Sequence, residues 1–83
     1  WGGEEFVAIL RGVTYLELRT IAEKVCRLVA QSSFMRGKDC LRVTVSIGST
    51  MVQPTDNAYT LVQRADKALY ISKNAGRNRV TAL

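Results

Sequence analysis

Apolar residues recur along the chain at several spacings, and each spacing forecasts an element. From Phe6 the run Phe-Val-Ala-Ile-Leu is continuous and β-prone, which predicts a first strand over Phe6 to Leu10, closed by Arg11-Gly12 as a turn. Leu18, Ile21, Ala22, Val25, Leu28 and Val29 then repeat every three or four positions, placing them on one side of a helix of about four turns. Thr14 and Glu17 stand three apart in the capping-box pattern, where each side chain closes on the other's backbone N–H. Glu17, Glu23, Lys24, Arg27 and Gln31 fall on the outer, solvated side. Ser32 to Asp39, with Gly37 inside it, is polar and predicts a loop.

The period then changes to two. Leu41, Val43, Val45 and Ile47 alternate with Arg42, Thr44, Ser46 and Gly48, the pattern of a strand with one face on a core. Gly48 permits a bend or a close backbone approach. After Pro54, the residues Thr55, Asp56 and Asn57 supply N-cap candidates for a second helix. Its inner face is marked by Ala58, Leu61, Val62, Ala65, Ala68, Leu69 and Ser72, and Gly76 is placed to cap its end. Arg79 to Ala82 forms a short last strand. The order strand, helix, strand, helix, strand implies an α/β sheet with helical crossovers. Three strands make a thin sheet, and no internal repeat is visible.

Length and charge narrow the function classes. An 83-residue chain that is 47% hydrophobic supports one small core, burying only roughly 60% of its unfolded surface. No stretch approaches the roughly 20 apolar residues of a membrane span, and residues from Trp1 onward show no basic region followed by an apolar run and cleavage site, so a cytoplasmic protein without membrane contact is expected. Cys26 and Cys40 match no close metal or redox spacing and are expected to be reduced packing residues. Twelve Lys and Arg against seven Asp and Glu give a net charge of +5, which favours a phosphate-bearing partner. The positive residues are dispersed except from Lys73 to Arg79, and one basic corner suits a small triphosphate better than nucleic acid. The chain has no histidine. Histidine-based triads and zinc sites are therefore excluded within it, leaving carboxylate, metal and Lys or Arg chemistry.

The candidate chemistry gathers at the two ends. Gly2 and Gly3 make an ordinary hairpin turn when read alone, and Glu4 and Glu5 a solvated acidic pair. Together they join a tight turn to hard oxygen donors suited to Mg2+, which is usually held by one or two carboxylates plus substrate oxygens. Lys73 and Arg77, four apart at the end of the second helix, are either generic C-terminal cations or a phosphate clamp with bidentate Arg geometry. Asp66 and Tyr70 read as packing scaffold, Asn78 as a turn or capping residue and Arg79 as solvated. Thr44 and Ser46 have no histidine to activate them as nucleophiles.

Gly2-Gly3-Glu4-Glu5-Phe6, Val43 to Gly48, and Ala65 to Asn78 together resemble the GGDEF domain of diguanylate cyclases, in family order and approximate spacing. The resemblance covers only the C-terminal half of that domain, whose fold is a nucleotide-cyclase-like α/β sandwich related to polymerase palms. The upstream metal aspartate, guanine-recognition residues and Arg-x-x-Asp inhibitory site of the family have no counterpart in this sequence. The resemblance implies that Glu4 binds metal, Mg2+ or Mn2+, and acts in catalysis with Glu5 close by. Gly2 and Gly3 admit the nucleotide phosphates, and Lys73 and Arg77 hold the triphosphate tail. It further implies GTP as substrate, cyclic di-GMP and pyrophosphate as products, a second such domain as partner, and an upstream sensory or regulatory domain. Residues 1–83 alone are then expected to be inactive. A degenerate domain serving as a GTP-binding or protein-interaction module is the competing expectation.

Overall fold

The structure, a computed structural model, describes residues 7–83. In chain order the elements are α1 (Tyr15–Gln31), β1 (Ser33–Arg36), β2 (Asp39–Arg42), β3 (Ile47–Ser49), α2 (Ala58–Asn74) and β4 (Val80–Ala82). β3 and β4 pair in parallel, with Ile47 opposite Val80, Gly48 opposite Thr81 and Ser49 opposite Ala82. Helix α2 is the crossover between them, so residues 47–82 form one β-α-β unit. β1 and β2 form a separate antiparallel hairpin, with Phe34 opposite Leu41 and Met35 opposite Cys40.

Both helices start where local chemistry dictates. Thr14 caps α1: its Oγ1 accepts from the Glu17 N–H at 3.1 Å while the Glu17 carboxylate accepts from the Thr14 N–H at 3.1 Å. That reciprocal bond holds the Glu17 carboxyl below its usual range. Asn57 is the residue that caps α2, in a matching exchange with Thr60 at 2.9 and 3.0 Å. Ala68 and Ser72 are fully buried along the face of α2 forecast to be inner, whereas Ala58 at its first turn is exposed.

Five expectations are corrected. Val7 to Leu10 form no strand, because no neighbouring strand among the described residues takes up their backbone groups, and Val7, Ile9 and Leu10 are exposed. The segment forecast as a loop from Ser32 to Asp39 contains β1 and the turn of the hairpin, with Gly37 at φ 63 in the two-residue connection where glycine is unstrained. The forecast continuous strand Leu41 to Gly48 is divided between β2 and β3, residues 43–46 being unpaired among the described residues. On α1 the core side is Ala22 and Cys26, while Ile21, Val25 and Leu28 remain 40, 44 and 53% exposed. The apolar arc of that helix is wider than the narrow two-stranded sheet it lies against. Cys26 is buried as a packing residue, but Cys40 is exposed on the hairpin; both are free thiols.

Candidate functional site

Gly48 lets α2 sit almost on the backbone of β3. A Cβ at that position would lie 2.7 Å from Leu69 Cα, and closer still to Leu69 N and Ala65 O. The seat is tied by Ser72, whose Oγ donates to Ile47 O at 2.9 Å and lies 2.7 Å from Thr81 Oγ1. Gly48 and Thr81 are register partners on the face toward α2. Alternation sends Ile47, Ser49, Val80 and Ala82 to the opposite face. Ser49 is buried there, and its Oγ has no hydrogen-bond partner among the described residues.

The C-terminal end of α2 is therefore anchored, and the chain reverses tightly beyond it. The cap residue Ala75 donates its N–H to Ile71 O at 2.9 Å, and Arg77 N–H returns to Ser72 O at 3.0 Å, the six-residue closure of a Schellman-type end around Gly76 at φ 122. Arg77 and Asn78 follow at φ 63 and 50. Left-handed backbone costs an ordinary residue about 1–2 kcal/mol, less for Asn, whose short polar side chain bonds locally. Arg79 folds back over the turn, its Nε donating to Arg77 O at 3.0 Å. Asn78 Oδ1 accepts from Cys26 Sγ at 3.7 Å, and the same thiol lies 3.5 Å from Val45 O. Between α1 and this turn runs an open groove of about 300 Å³, lined by Glu23, Cys26, Arg27, Asn78 and Arg79 among others.

The N-terminal end of α2 is fixed by a charge pair invisible in the sequence pattern, since its members stand eight apart. The Arg64 guanidinium grips both Asp56 oxygens, with Nη1 to Oδ1 at 3.1 Å, and also donates to Thr50 Oγ1 at 2.7 Å and Met51 O at 2.9 Å. Asp56 further accepts from Gln53 N–H at 2.8 Å and Thr60 Oγ1 at 3.0 Å, and its side chain is only 5% exposed. These donors, Arg64 foremost, hold the Asp56 carboxyl far below the usual carboxylate range, while Asp56 raises Arg64.

Residues 1–79 match the family model described as "Diguanylate cyclase, GGDEF domain". The chain belongs to the GGDEF family. Among curated relatives, "Diguanylate cyclase A" of Treponema denticola is 42% identical over 82 residues, covering 98% of this chain and 22% of that protein. "Response regulator PleD" of Caulobacter vibrioides is 39% identical over 83 residues, covering 96% and 18%. The chain thus spans about a fifth of the length of these relatives. Among solved structures, the GGDEF domain of DgcB from Caulobacter crescentus, crystallised in complex with c-di-GMP, superimposes with a TM-score of 0.78 at 32% identity, over 84% of this chain and 43% of that one. A coiled-coil and GGDEF structure of the same protein gives 0.77. The α/β architecture is that of GGDEF domains.

Within this GGDEF chain the forecast site residues divide. Gly2, Gly3, Glu4 and Glu5 lie outside the described residues. Lys73 stands half-buried in the last turn of α2, and Arg77 is exposed in the turn beyond it. The bond from Arg77 N–H to Ser72 O brings the two cations to one end of the helix. Tyr70, forecast as packing scaffold, is 69% exposed, and with Asp66, Leu69 and Lys73 it borders a surface depression of about 170 Å³. Its side chain faces outward because Ala68 and Ser72 already fill the face of α2 toward the sheet. Among the described residues no three His, Cys, Asp or Glu side chains converge as metal ligands, and no helix is long and apolar enough to cross a membrane.

Proposed function

We propose that residues 1–83 are the C-terminal half of a GGDEF domain whose whole protein condenses two GTP molecules into cyclic di-GMP and two pyrophosphates. The observation that carries the site reading is the cationic end of α2, where Lys73 and Arg77 share one anchored, tightly turned segment. That arrangement suits a triphosphate tail, because Arg offers a planar fork to phosphate oxygens and Lys a compact charge. Gly2 and Gly3 leave the backbone open to the phosphates, and Glu4 holds Mg2+ or Mn2+ with Glu5 beside it. The metal supplies charge neutralisation at the phosphates when bound; carboxylates are the hard oxygen donors such ions take. The chain's own residues contribute positioning, bringing the 3′ hydroxyl of one nucleotide in line with the α-phosphate of another held by a second GGDEF domain.

The stripe Ile21, Val25 and Leu28 supports the half-domain reading, since these apolar side chains share one side of α1 and remain 40 to 53% exposed. An upstream half carrying guanine recognition and the remaining metal ligand would cover them. The protein is assigned to the cytoplasm, where GTP is available, under the control of an upstream sensory or regulatory domain. The test is product analysis by chromatography. The full-length protein with GTP and Mg2+ or Mn2+ yields cyclic di-GMP, Glu4→Ala abolishes it, and residues 1–83 alone yield none. An inactive full-length protein, an unaffected Glu4→Ala variant or an active fragment refutes the corresponding part of the reading.

A further inference from the structure

Arg77 and Asn78 are consecutive non-glycine residues with left-handed backbone, at φ 63 and 50. Sequence alone offers a cheaper turn, because glycine adopts this region freely and the chain places its glycine one residue earlier, at Gly76. The unusual pair is held by contacts from separate directions. Arg77 N–H is bound to Ser72 O at 3.0 Å, and Ser72 is itself buried against β3 and β4. Arg77 O accepts from Arg79 Nε at 3.0 Å. Asn78 Oδ1 takes the Cys26 thiol at 3.7 Å, which ties the turn to α1. Asn78 and Arg79 are exposed, so neither is there to fill the core. Backbone strain that its surroundings over-determine is a mark of ligand clamps, where it supplies pre-organisation.

We infer that Asn78 and Arg79 are positioning residues for Arg77, holding its backbone in the left-handed region so that its guanidinium is presented to an incoming triphosphate before the nucleotide binds. The inference rests on the reading of Arg77 as a phosphate contact. Its physical basis is that a side chain launched from a fixed backbone loses less freedom on binding than one launched from a wandering turn. Arg79 acts through the Arg77 carbonyl. Asn78 acts through its own tolerance of positive φ.

The test compares two ligands on the full-length protein: a GTP analogue with a methylene in place of the α–β bridging oxygen, which cannot release pyrophosphate, and GMP. A general weakening of the fold lowers affinity for both, whereas a misplaced tail clamp lowers only the first. Asn78→Val, which opposes positive φ, and Arg79→Ala are each expected to cut the triphosphate-to-monophosphate affinity ratio about tenfold, and Asn78→Gly to keep it within about twofold. If Asn78→Val does not fold, Arg79→Ala carries the test. An unchanged ratio in Arg79→Ala, or parallel losses for both ligands, overturns the inference. If Arg77→Ala still lowers the ratio in that case, the phosphate reading of Arg77 stands alone; if Arg77→Ala leaves it unchanged, that reading falls too.

Discussion

Replacing Gly48 by alanine sets one methyl group against the backbone of α2. The added carbon would lie 2.7 Å from Leu69 Cα and nearer to Leu69 N and Ala65 O, whereas non-bonded carbons settle at about 3.5–4.0 Å. The helix must therefore lift from β3 by about 1 Å, and no side chain can step aside because every obstructing atom is backbone. A lift of that size stretches the bond from Ser72 Oγ to Ile47 O, now 2.9 Å, beyond hydrogen-bond range. Overpacking costs about 1–3 kcal/mol, and with a rigid obstacle the upper value applies. A loss of about 3 kcal/mol corresponds to a fall in melting temperature of about 12–24 °C for a domain of this size. Urea and thermal unfolding followed by circular dichroism measure it. Gly37→Ala is the control, since its Cβ meets nothing within 4 Å and only its φ of 63 is penalised, a cost of about 1–2 kcal/mol that falls on the hairpin and not on the α2–β3 contact. Truncating Leu69 to alanine in the Gly48→Ala background restores nothing. A Gly48→Ala protein within about 0.5 kcal/mol of wild type, the range of neutral surface changes, would show that α2 does not rest on β3 as described.

Two further outcomes follow from buried polar groups. Ser49→Ala removes a buried hydroxyl that has no partner among the described residues and is expected to raise stability by about 1 kcal/mol, read from the urea midpoint; a destabilised variant would mean that the hydroxyl is bonded. Asp56 is depressed in the folded state by Arg64 and the Gln53 N–H, so it binds protons more readily when unfolded. Its contribution is complete above the usual carboxylate range and is lost as pH falls through that range toward the lower folded value. Glu17 acts in the same direction. Melting temperature measured from pH 6 down to pH 2 is expected to fall at the acid end, and less steeply for Asp56→Asn; parallel slopes would remove Asp56 as a cause.

What could be read from the chain in advance follows the range of the interactions concerned. The Thr14–Glu17 box closes over three residues and was legible, as was the Gly48 approach, which only a missing Cβ permits. The hairpin was not, because its strands are only four residues long, Ser-Phe-Met-Arg and Asp-Cys-Leu-Arg, with their apolar residues adjacent and not alternating. Its one available signal was the two-residue Gly37–Lys38 connection between Arg36 and Asp39. Val7 to Leu10 misled in the opposite way: an apolar run states a preference for a strand, and a strand exists only with a neighbour. On the site, Lys73 and Arg77 were legible as a motif. The return of Arg77 to Ser72 and the grip of Arg79 on the Arg77 carbonyl were hidden, since they depend on backbone angles that side-chain types do not announce. Asp56 and Arg64 lie too far apart for either helical or strand spacing to pair them.

The β1–β2 hairpin touches neither helix extensively and buries none of its described side chains. Two strands without a covered face are marginal in water, so the ribbon's opening is a local event, separate in free energy from that of the β3–α2–β4 unit. Amides in the two regions accordingly belong to different cooperative units, and changes at Met35, Lys38 or Cys40 reach the cationic end of α2 only through global unfolding.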